Sequence, residues 1–259
     1  MEDIIRAGKF QIDVLYADNH LLVVEKPANL PTQADSSGDD DLLSILKRYI
    51  AEKYHKPGAA YLGLVHRLDR PVGGVMVFAR TSKAASRLSE AFRSHEQDRR
   101  YLAVVEGEIP GERELNDWLI KDGRTGMVRA VREETPGAKR AKLITRPQAV
   151  REGLTLTQVQ LFTGRAHQIR VQHAHAGHPL WGDMRYGHGV PGRQIALWAY
   201  HLELEHPTRH EKLCFSSRPP RQGAWKLFDG EIDRLMEAER KSGENIYNRK
   251  ENIERKLDR

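Results

Sequence analysis

The 259-residue sequence has a single cysteine, Cys214, and no long apolar run. One thiol cannot form an intramolecular disulfide or supply the four thiolates of a zinc or iron–sulfur site. No stretch approaches the roughly 20 apolar residues that span a bilayer, and the first residues lack the basic and apolar regions of a signal peptide. We therefore expect a cytoplasmic protein without a membrane partner.

Nucleotide and metal motifs are also missing. No G-x-G-x-x-G follows a predicted strand and no Walker loop occurs, so no nucleotide cofactor is implied. Four histidines form the only cluster that invites a metal: His167, His173, His175 and His178. Because no H-E-x-x-H occurs and no acidic residue lies between Gly164 and Trp181, we expect no metal and no cofactor. A metal-dependent hydrolase built on these histidines is the weakest alternative.

Positive charge is concentrated in the middle of the chain. Residues 1–60 hold 7 Lys and Arg against 10 Asp and Glu, residues 61–230 hold 27 against 18, and residues 231–259 hold 8 against 8. In the middle part 21 of the 27 basic residues are arginine, whose planar fork suits phosphate groups and guanine edges. The excess of +9 indicates a polyanionic partner; the alternative is a solvated basic face without one.

Short apolar runs rich in Val, Ile, Leu, Tyr and Phe predict nine strands. They are Ile12–Tyr16, Leu21–Glu25, Val75–Phe78, Tyr101–Glu106, Met127–Val131, Ala141–Thr145, Leu154–Phe162, Ile195–Glu205 and Leu213–Ser216. Helical spacing predicts three helices, about Leu42–Tyr54, Ser82–His95 behind a Thr81/Ser82 cap, and about His167–Ala176. Because helices do not separate the strands regularly, we predict an α+β fold with a mixed, mostly antiparallel sheet.

The chain shows no linker before residue 230. We therefore predict one folded domain over residues 1–230. Residues 231–259 are charged and aromatic-poor, and we predict a helix there as far as about Arg240, followed by a frayed tail.

The densest chemical signal is the run His66-Arg67-Leu68-Asp69-Arg70 between two apolar segments. The Pro and two Gly that follow allow a tight turn, so one carboxylate is held on a rigid scaffold beside two arginines. Nearby arginines favour the ionised carboxylate that a nucleophile or base requires. Alternatively, Asp69 only anchors the turn through a salt bridge with Arg67 or Arg70.

Two further segments carry polar groups of interest. A strand ends at Gly164 and a helix is predicted to open with Arg165, which would present N–H groups and a guanidinium to an anion or a carbonyl oxygen. Tyr101 follows two arginines at a strand start, where it could stack on a base. The ordinary alternatives are a capping region for Arg165 and a core or edge-strand position for Tyr101.

Taken in order, H-R-L-D, R-R-Y-L-A-V-V-E-G, and G-R-A-H-Q-I-R-V followed by G-H-P-L-W-G-D resemble the motifs of the RluA-type pseudouridine synthases over roughly residues 12–220. The resemblance implies the pseudouridine synthase fold, with a central basic cleft and flanking helices. It also implies isomerisation of a uridine to pseudouridine in structured RNA, either rRNA or tRNA, by base flipping without cofactor or metal. We expect a monomer.

The resemblance also assigns roles to individual residues. Asp69 is implied as the catalytic aspartate, Tyr101 as the ring that lies on the uracil, and Arg165 as the partner of the catalytic carboxylate. Arg67 would fill the gap left by the flipped base, and Ile169 would contact the base. The complete predicted set is Asp69, Tyr101 and Arg165 as catalytic residues and Arg67, Ile169, His66 and Arg70 as substrate-binding residues.

The chain departs from the family pattern at two sites near these motifs. Val72-Gly73 stand where Thr-Ser usually follows the aspartate motif, and Ala166 stands where Thr usually follows the motif arginine. Because the family-like region begins by about residue 12, we also expect a form without an S4-like domain. The lost hydroxyls motivate an alternative, a catalytically silent RNA-binding or assembly protein with the same fold.

Overall fold

The computed structural model describes residues 3–55 and 57–242. Within these residues it contains twelve strands, four α-helices and one 3-10 helix, Gly223–Phe228. The strands are β1 (Ile4–Ala7), β2 (Phe10–Ala17), β3 (Leu21–Lys26), β4 (Gly63–Leu64), β5 (Gly73–Ala79), β6 (Asp98–Glu106), β7 (Arg113–Lys121), β8 (Val128–Val131), β9 (Lys139–Arg151), β10 (Leu154–Leu161), β11 (Leu197–Glu205) and β12 (Lys212–Ser216). The helices are α1 (Leu42–Lys53), α2 (Ser82–Ser94), α3 (Gln168–His175) and α4 (Asp229–Ser242).

The chain divides into two compact units. The first contains the described residues up to Asp98, then Ala199–Ser217 and the described residues from Ala238 onward. The second contains Arg99–Trp198 and Arg218–Glu237. Three of the crossings between the units lie within β6, β11 and α4, and the fourth lies between Ser217 and Arg218, just after β12.

In the first unit the strand order is β1-β2-β3-β5-β11, with β4 beside β5 and β12 beside β11. The pairs β1–β2, β2–β3, β3–β5 and β4–β5 are all antiparallel. Every residue of β5 is buried, which explains its unbroken run of small and apolar residues. This buried strand directly follows the segment that contains Asp69.

Helix α2 packs on this unit with a narrow apolar face. The Thr81 side chain accepts the N–H of Ala84, so the predicted cap is confirmed. Ala84, Leu88 and Phe92 recur at helical spacing and are buried against core residues such as Val77. Burial of Leu88 and Phe92 contributes roughly 1.5–3 kcal/mol each.

In the second unit the strand order is β6-β10-β9-β7-β8, and all four pairs are antiparallel. The long strand β9 contains Pro147, which has no N–H to give to a ladder. The register of β10 against β9 shifts between Leu156 and Thr157, the latter opposite Pro147. The irregularity lets the strand continue past the proline.

Helix α3 lies on one face of this second sheet. The His173 Nε2 atom of α3 is 3.2 Å from the Thr145 Oγ1 atom of β9. Thr145 is opposite Val159, and Val159 is opposite Tyr101. Because opposing residues of an antiparallel pair share a face, Tyr101 lies on the same face of the sheet as α3.

The predicted α+β fold with a mostly antiparallel sheet is confirmed, and all nine predicted strands and three predicted helices are present. Strands β1, β4 and β7 were not predicted. In β7 only Leu115 and Leu119 are buried, so the polar sequence RELNDWLIK lacks the apolar signal of a strand. Among residues 3–55 and 57–242, no helix is both long and apolar enough to cross a membrane.

The predicted domain boundary at residue 230 stays a prediction. Helix α4 begins beside it at Asp229 and extends to Ser242, slightly beyond the predicted end near Arg240. The predicted frayed tail falls on residues 243–259, which lie outside the described residues.

Candidate active site

Asp69 lies in the connection between β4 and β5 of the first unit and is half-buried. The N–H of Val72 donates to the Asp69 carbonyl oxygen at 3.0 Å, which closes a tight turn. The Thr32 hydroxyl donates to the Leu68 carbonyl oxygen at 2.8 Å. The backbone on both sides of Asp69 is thus held, and this restricts where its carboxylate can point.

The buried side chain of Lys26 supports the same turn. It is fully buried, and its Nζ atom donates to the carbonyl oxygens of Pro27 at 3.0 Å, Arg70 at 3.1 Å and Val72 at 2.7 Å. Three acceptors match the three N–H groups of the ammonium form. Burial lowers the pKa of Lys26 to about 7, the Asp69 carboxylate opposes that shift, and Arg70 adds to it. Lys26 was not predicted as part of the site; its one signal is that it ends a mostly apolar strand.

Gly74 allows the turn to enter the sheet. Its φ angle is +121°, and a Cβ atom there would lie 2.2 Å from the carbonyl oxygen of Ala199. No other residue type fits this close approach of two backbones. The second glycine after Asp69 therefore has a steric cause.

His66 braces the turn through its ring. The imidazole stacks on Phe92 of α2 with ring centroids 4.6 Å apart, and its Nε2 atom accepts the N–H of Val77 at 3.1 Å. Arg67, the next residue, is exposed. Their predicted roles in substrate binding stay predictions.

Arg70 forms its ion pairs with the loop that precedes α1. One guanidinium nitrogen is 3.1 Å from Ser37 Oγ and 3.8 Å from Asp35 Oδ2, and another pairs with Asp39. The 35–39 loop thus offers acidic and hydroxyl acceptors to Arg70, and the predicted role of Arg70 in substrate binding stays a prediction.

Tyr101 and Ile169 belong to the second unit and are both buried. Ile169 is the second residue of α3, and its carbonyl oxygen is 2.8 Å from His173 Nδ1. Burial lowers the pKa of His173 to about 4. A neutral imidazole that donates from Nδ1 and accepts from Thr145 at Nε2 therefore joins the helix to the sheet.

Arg165 lies in a loop rather than in the first turn of a helix, so the prediction that a helix opens with Arg165 is wrong. Helix α3 begins at Gln168, after His167 in a left-handed conformation with φ +51°. The Gln168 side-chain oxygen accepts the N–H of Arg165 at 3.0 Å, and this bond holds the preceding residues in a turn. The Arg165 Nε atom donates to the Arg140 carbonyl oxygen at 2.9 Å.

A buried ion pair stands behind this loop. Arg170 makes two hydrogen bonds of 2.8 Å to Asp183. Burial alone would raise the pKa of Asp183, but the Arg170 guanidinium and the N–H groups of Arg185 and Tyr186 hold it below its usual range. The Tyr186 hydroxyl is 2.6 Å from His167 Nδ1. Because Asp183 accepts the Tyr186 N–H, the Arg170–Asp183 ion pair is linked through Tyr186 to the residue before α3.

The four histidines singled out in the sequence each have a protein partner. The partners are Tyr186 for His167, Ile169 and Thr145 for His173, Asp117 for His175 and Glu106 for His178. In the part of the chain that the structure describes, no three His, Cys, Asp or Glu side chains are grouped so as to hold a metal ion.

Comparison with known proteins gives one consistent result. The profile of a family described as RNA pseudouridylate synthase matches residues 20–175. An uncharacterized RNA pseudouridine synthase of Bacillus subtilis, YhcT, is 34% identical over 206 residues, covering 78% of this chain and 66% of its own. Ribosomal large subunit pseudouridine synthase D of Pseudomonas aeruginosa is 33% identical over 238 residues, covering 85% and 72%. The chain thus spans about two thirds or more of the length of these two relatives.

The fold has a counterpart among solved structures. Human RNA pseudouridylate synthase domain containing 4 superposes with a TM-score of 0.67 at 22% identity, covering 86% of this chain and 92% of that one. At that identity the likeness concerns the fold alone. With the family profile and the relatives above 30% identity, it leads to one assignment: this chain belongs to the RNA pseudouridylate synthase family, whose members are isomerases.

Proposed function

We propose that this chain converts a uridine of structured RNA to pseudouridine with Asp69 as the catalytic carboxylate. The observation that carries the proposal is the turn around Asp69, whose backbone carbonyls are bridged by the buried Lys26 ammonium. The net reaction breaks the N1–C1′ bond, forms a C5–C1′ bond, removes the C5 proton and leaves a proton on N1. It needs no oxidant or reductant. An ionised carboxylate held in place can act as nucleophile or base while the base is detached.

The other groups follow from the reaction's demands. We assign Tyr101 and Ile169, which are both buried in this structure, to contact with the uracil. The Arg165 guanidinium, held at its Nε atom, is suited to pair with a carboxylate. Extruding a base costs a few kcal/mol, and the exposed, planar side chain of Arg67 can replace it in the stack. The contacts of His66 favour a positioning role for that residue.

Ribosomal RNA is the first substrate to test, because one relative is named as a ribosomal large subunit pseudouridine synthase. Transfer RNA is the second. The net charge of +9 over residues 61–230 supports a polyanionic substrate of either kind.

The substitutions near the motifs favour an active enzyme over a silent binding protein. Val72 is buried, and it contributes to the turn through its N–H and its carbonyl oxygen, which a threonine would supply equally. Ala166 is exposed. Loss of hydroxyls at these positions therefore leaves the described backbone contacts of the turn unchanged.

The test is to map pseudouridine at single-nucleotide resolution in rRNA and tRNA from cells with and without the gene. We expect one or more sites to disappear, to return with the wild-type gene and with Asp40→Asn, and to stay absent with Asp69→Asn. Asp40 is a fitting control because it is an exposed carboxylate that pairs with Arg48. Return of the sites with Asp69→Asn would refute the aspartate mechanism. No change at any site, repeated with purified protein and rRNA transcripts, would refute the isomerase proposal.

A further inference from the structure

An aromatic side chain stands exposed beside the Arg165 loop. Phe162 is 37% exposed, and within residues 3–55 and 57–242 it is the one phenylalanine among the exposed large apolar side chains. An exposed ring beside the Arg165 loop is a surface on which a planar group can stack.

One cation lies over this ring, and a second is carried by the same face of β9. The Lys142 Nζ atom is 5.4 Å from the centroid of the Phe162 ring. Arg140, two residues earlier on β9, is exposed, and its Nε atom donates to Asn116 Oδ1 at 3.0 Å. Alternate residues of a strand point to the same face, so Arg140 and Lys142 share a face. We refer to Arg140, Lys142 and Phe162 as the Phe162 patch.

The Phe162 patch is joined to the Arg165 loop by backbone contacts. Leu161 is opposite Leu143, and one residue further the Phe162 N–H donates to the Lys142 carbonyl oxygen at 3.1 Å. The N–H of Lys142 in turn donates to Thr163 Oγ1 at 2.8 Å. The Arg165 Nε atom also donates to the Arg140 carbonyl oxygen, so hydrogen bonds connect the Phe162 patch directly to Arg165.

We propose that the Phe162 patch binds a nucleotide of the substrate RNA, with the base on the Phe162 ring and the phosphate on Lys142 and Arg140. An exposed ring accepts any base by stacking, and lysine or arginine beside it attracts the backbone phosphate. Glu114 lies 2.9 Å from Lys142 Nζ and competes for that cation. The inference rests on the proposed function, since it takes RNA as the substrate.

The first test compares Phe162→Ala, Phe162→Tyr and the control Val150→Ala, which trims an exposed apolar side chain of β9. The probe is a labelled oligouridine of about ten nucleotides, long enough for a single-strand site. Phe162→Ala should weaken binding by about 5- to 160-fold, the range measured for loss of one base–aromatic stack. Phe162→Tyr should stay within about twofold of wild type, because its ring still stacks. Equal affinities for Phe162→Ala and Val150→Ala, at equal thermal stability, would overturn the proposal.

The salt dependence of binding tests the charged residues Lys142 and Glu114 independently. Lys142→Gln should reduce the slope of log affinity against log salt by about 0.7, the effect of one phosphate contact on a single strand. Glu114→Gln should tighten binding, because it releases Lys142. Unchanged slopes and affinities in both variants would remove the phosphate part of the proposal.

The turnover readout separates this inference from the proposed function. With an rRNA transcript that wild type modifies, Phe162→Ala should raise KM and leave kcat within about twofold, since the patch lies outside the reacting atoms. If wild type binds oligouridine through Phe162 but modifies no RNA, the isomerase proposal fails and the patch stands. If wild type modifies RNA and Phe162→Ala matches Val150→Ala in both KM and affinity, the patch fails and the isomerase stands.

Discussion

The two loops that contain Asp69 and Arg165 are held by different kinds of group. Under the Asp69 turn a buried ammonium, Lys26, donates to three backbone carbonyls. In the Arg165 loop the neutral amide of Gln168 accepts one backbone N–H and donates to the Lys142 carbonyl oxygen at 3.1 Å. One loop is held by a titratable charge and the other by an uncharged side chain.

This difference matters because a buried charge depends on its hydrogen bonds and on pH. An ammonium taken out of water is costly unless every N–H is paired, and loss of its proton removes one of three donors. The Gln168 amide does not titrate. The Asp69 turn should therefore respond to pH near neutrality, and the Gln168 contacts should not.

The largest expected effect separates the two loops by chemistry. Asp69→Asn should lower single-turnover product formation by about 10⁴-fold, because an amide lacks the charge for nucleophilic or base catalysis. RNA affinity should stay within about threefold, since no phosphate-binding cation is removed. Rapid-quench assays with nitrocellulose binding would measure both. Near wild-type turnover, or an equal loss in Asp40→Asn, would contradict the assignment.

The next effect is on the ion pair behind the Arg165 loop. Arg170→Met should lower the free energy of unfolding by about 3–5 kcal/mol, because it leaves the Asp183 carboxylate buried without its cation. The matched control is Arg93→Met, whose pair with Glu90 is exposed and should contribute under about 1 kcal/mol. Urea unfolding of both variants would decide, and similar losses would show that burial does not distinguish the two pairs.

The third effect is the pH dependence that Lys26 imposes. Its pKa is about 7 in the folded protein against an ordinary 10.5. Between these values the unfolded chain binds one more proton, so unfolding free energy rises with pH. The unfolding free energy of wild type minus that of Lys26→Met should thus increase by up to about 1.4 kcal/mol per pH unit from pH 7 to 10. Urea unfolding at several pH values measures it; a constant difference would mean an unshifted lysine.

The smallest effect sharpens the contrast. Gln168→Leu should lower the unfolding free energy by about 1–2 kcal/mol, because it leaves the Arg165 N–H without the acceptor it now has. The loss should be the same from pH 6 to 9, in contrast to Lys26→Met. A loss that varied with pH as that of Lys26→Met does would erase the proposed difference between the loops.

Much of the fold could be predicted because its central elements are strongly apolar. Val75–Phe78 and Leu21–Glu25 were predicted as strands and lie within β5 and β3. Strand β7 could not be predicted, since it has only two buried residues and pairs with residues of β9 that lie 20 or more positions later in the chain. The local pattern of apolar residues indicates which strands are buried. Strand β7 is mostly polar, and its extended conformation depends on pairing with β8 and β9.

The candidate site shows the same limit. Asp69, Tyr101 and Arg165 stand in recognisable motifs, and their catalytic roles remain predictions. Lys26 could not be identified, because its acceptors on Arg70 and Val72 lie 44 and 46 residues away in the chain. A lysine at the end of a strand is usually solvated, and only the fold shows that this one is buried.

The amino-acid sequence by itself determined the α+β class, the position of most strands and helices, and the resemblance to the RluA-type synthases, because these depend on local periodicity and on motifs read in order. Tertiary structure alone decided that Lys26 lies under the Asp69 turn, that Arg70 pairs with the 35–39 loop, and that Arg165 precedes its helix rather than opening it. The first two depend on hydrogen-bond partners far away in the chain, and the third depends on the Gln168 side chain accepting the Arg165 N–H. Each choice among competing partners is made only when folding brings the groups together and removes water.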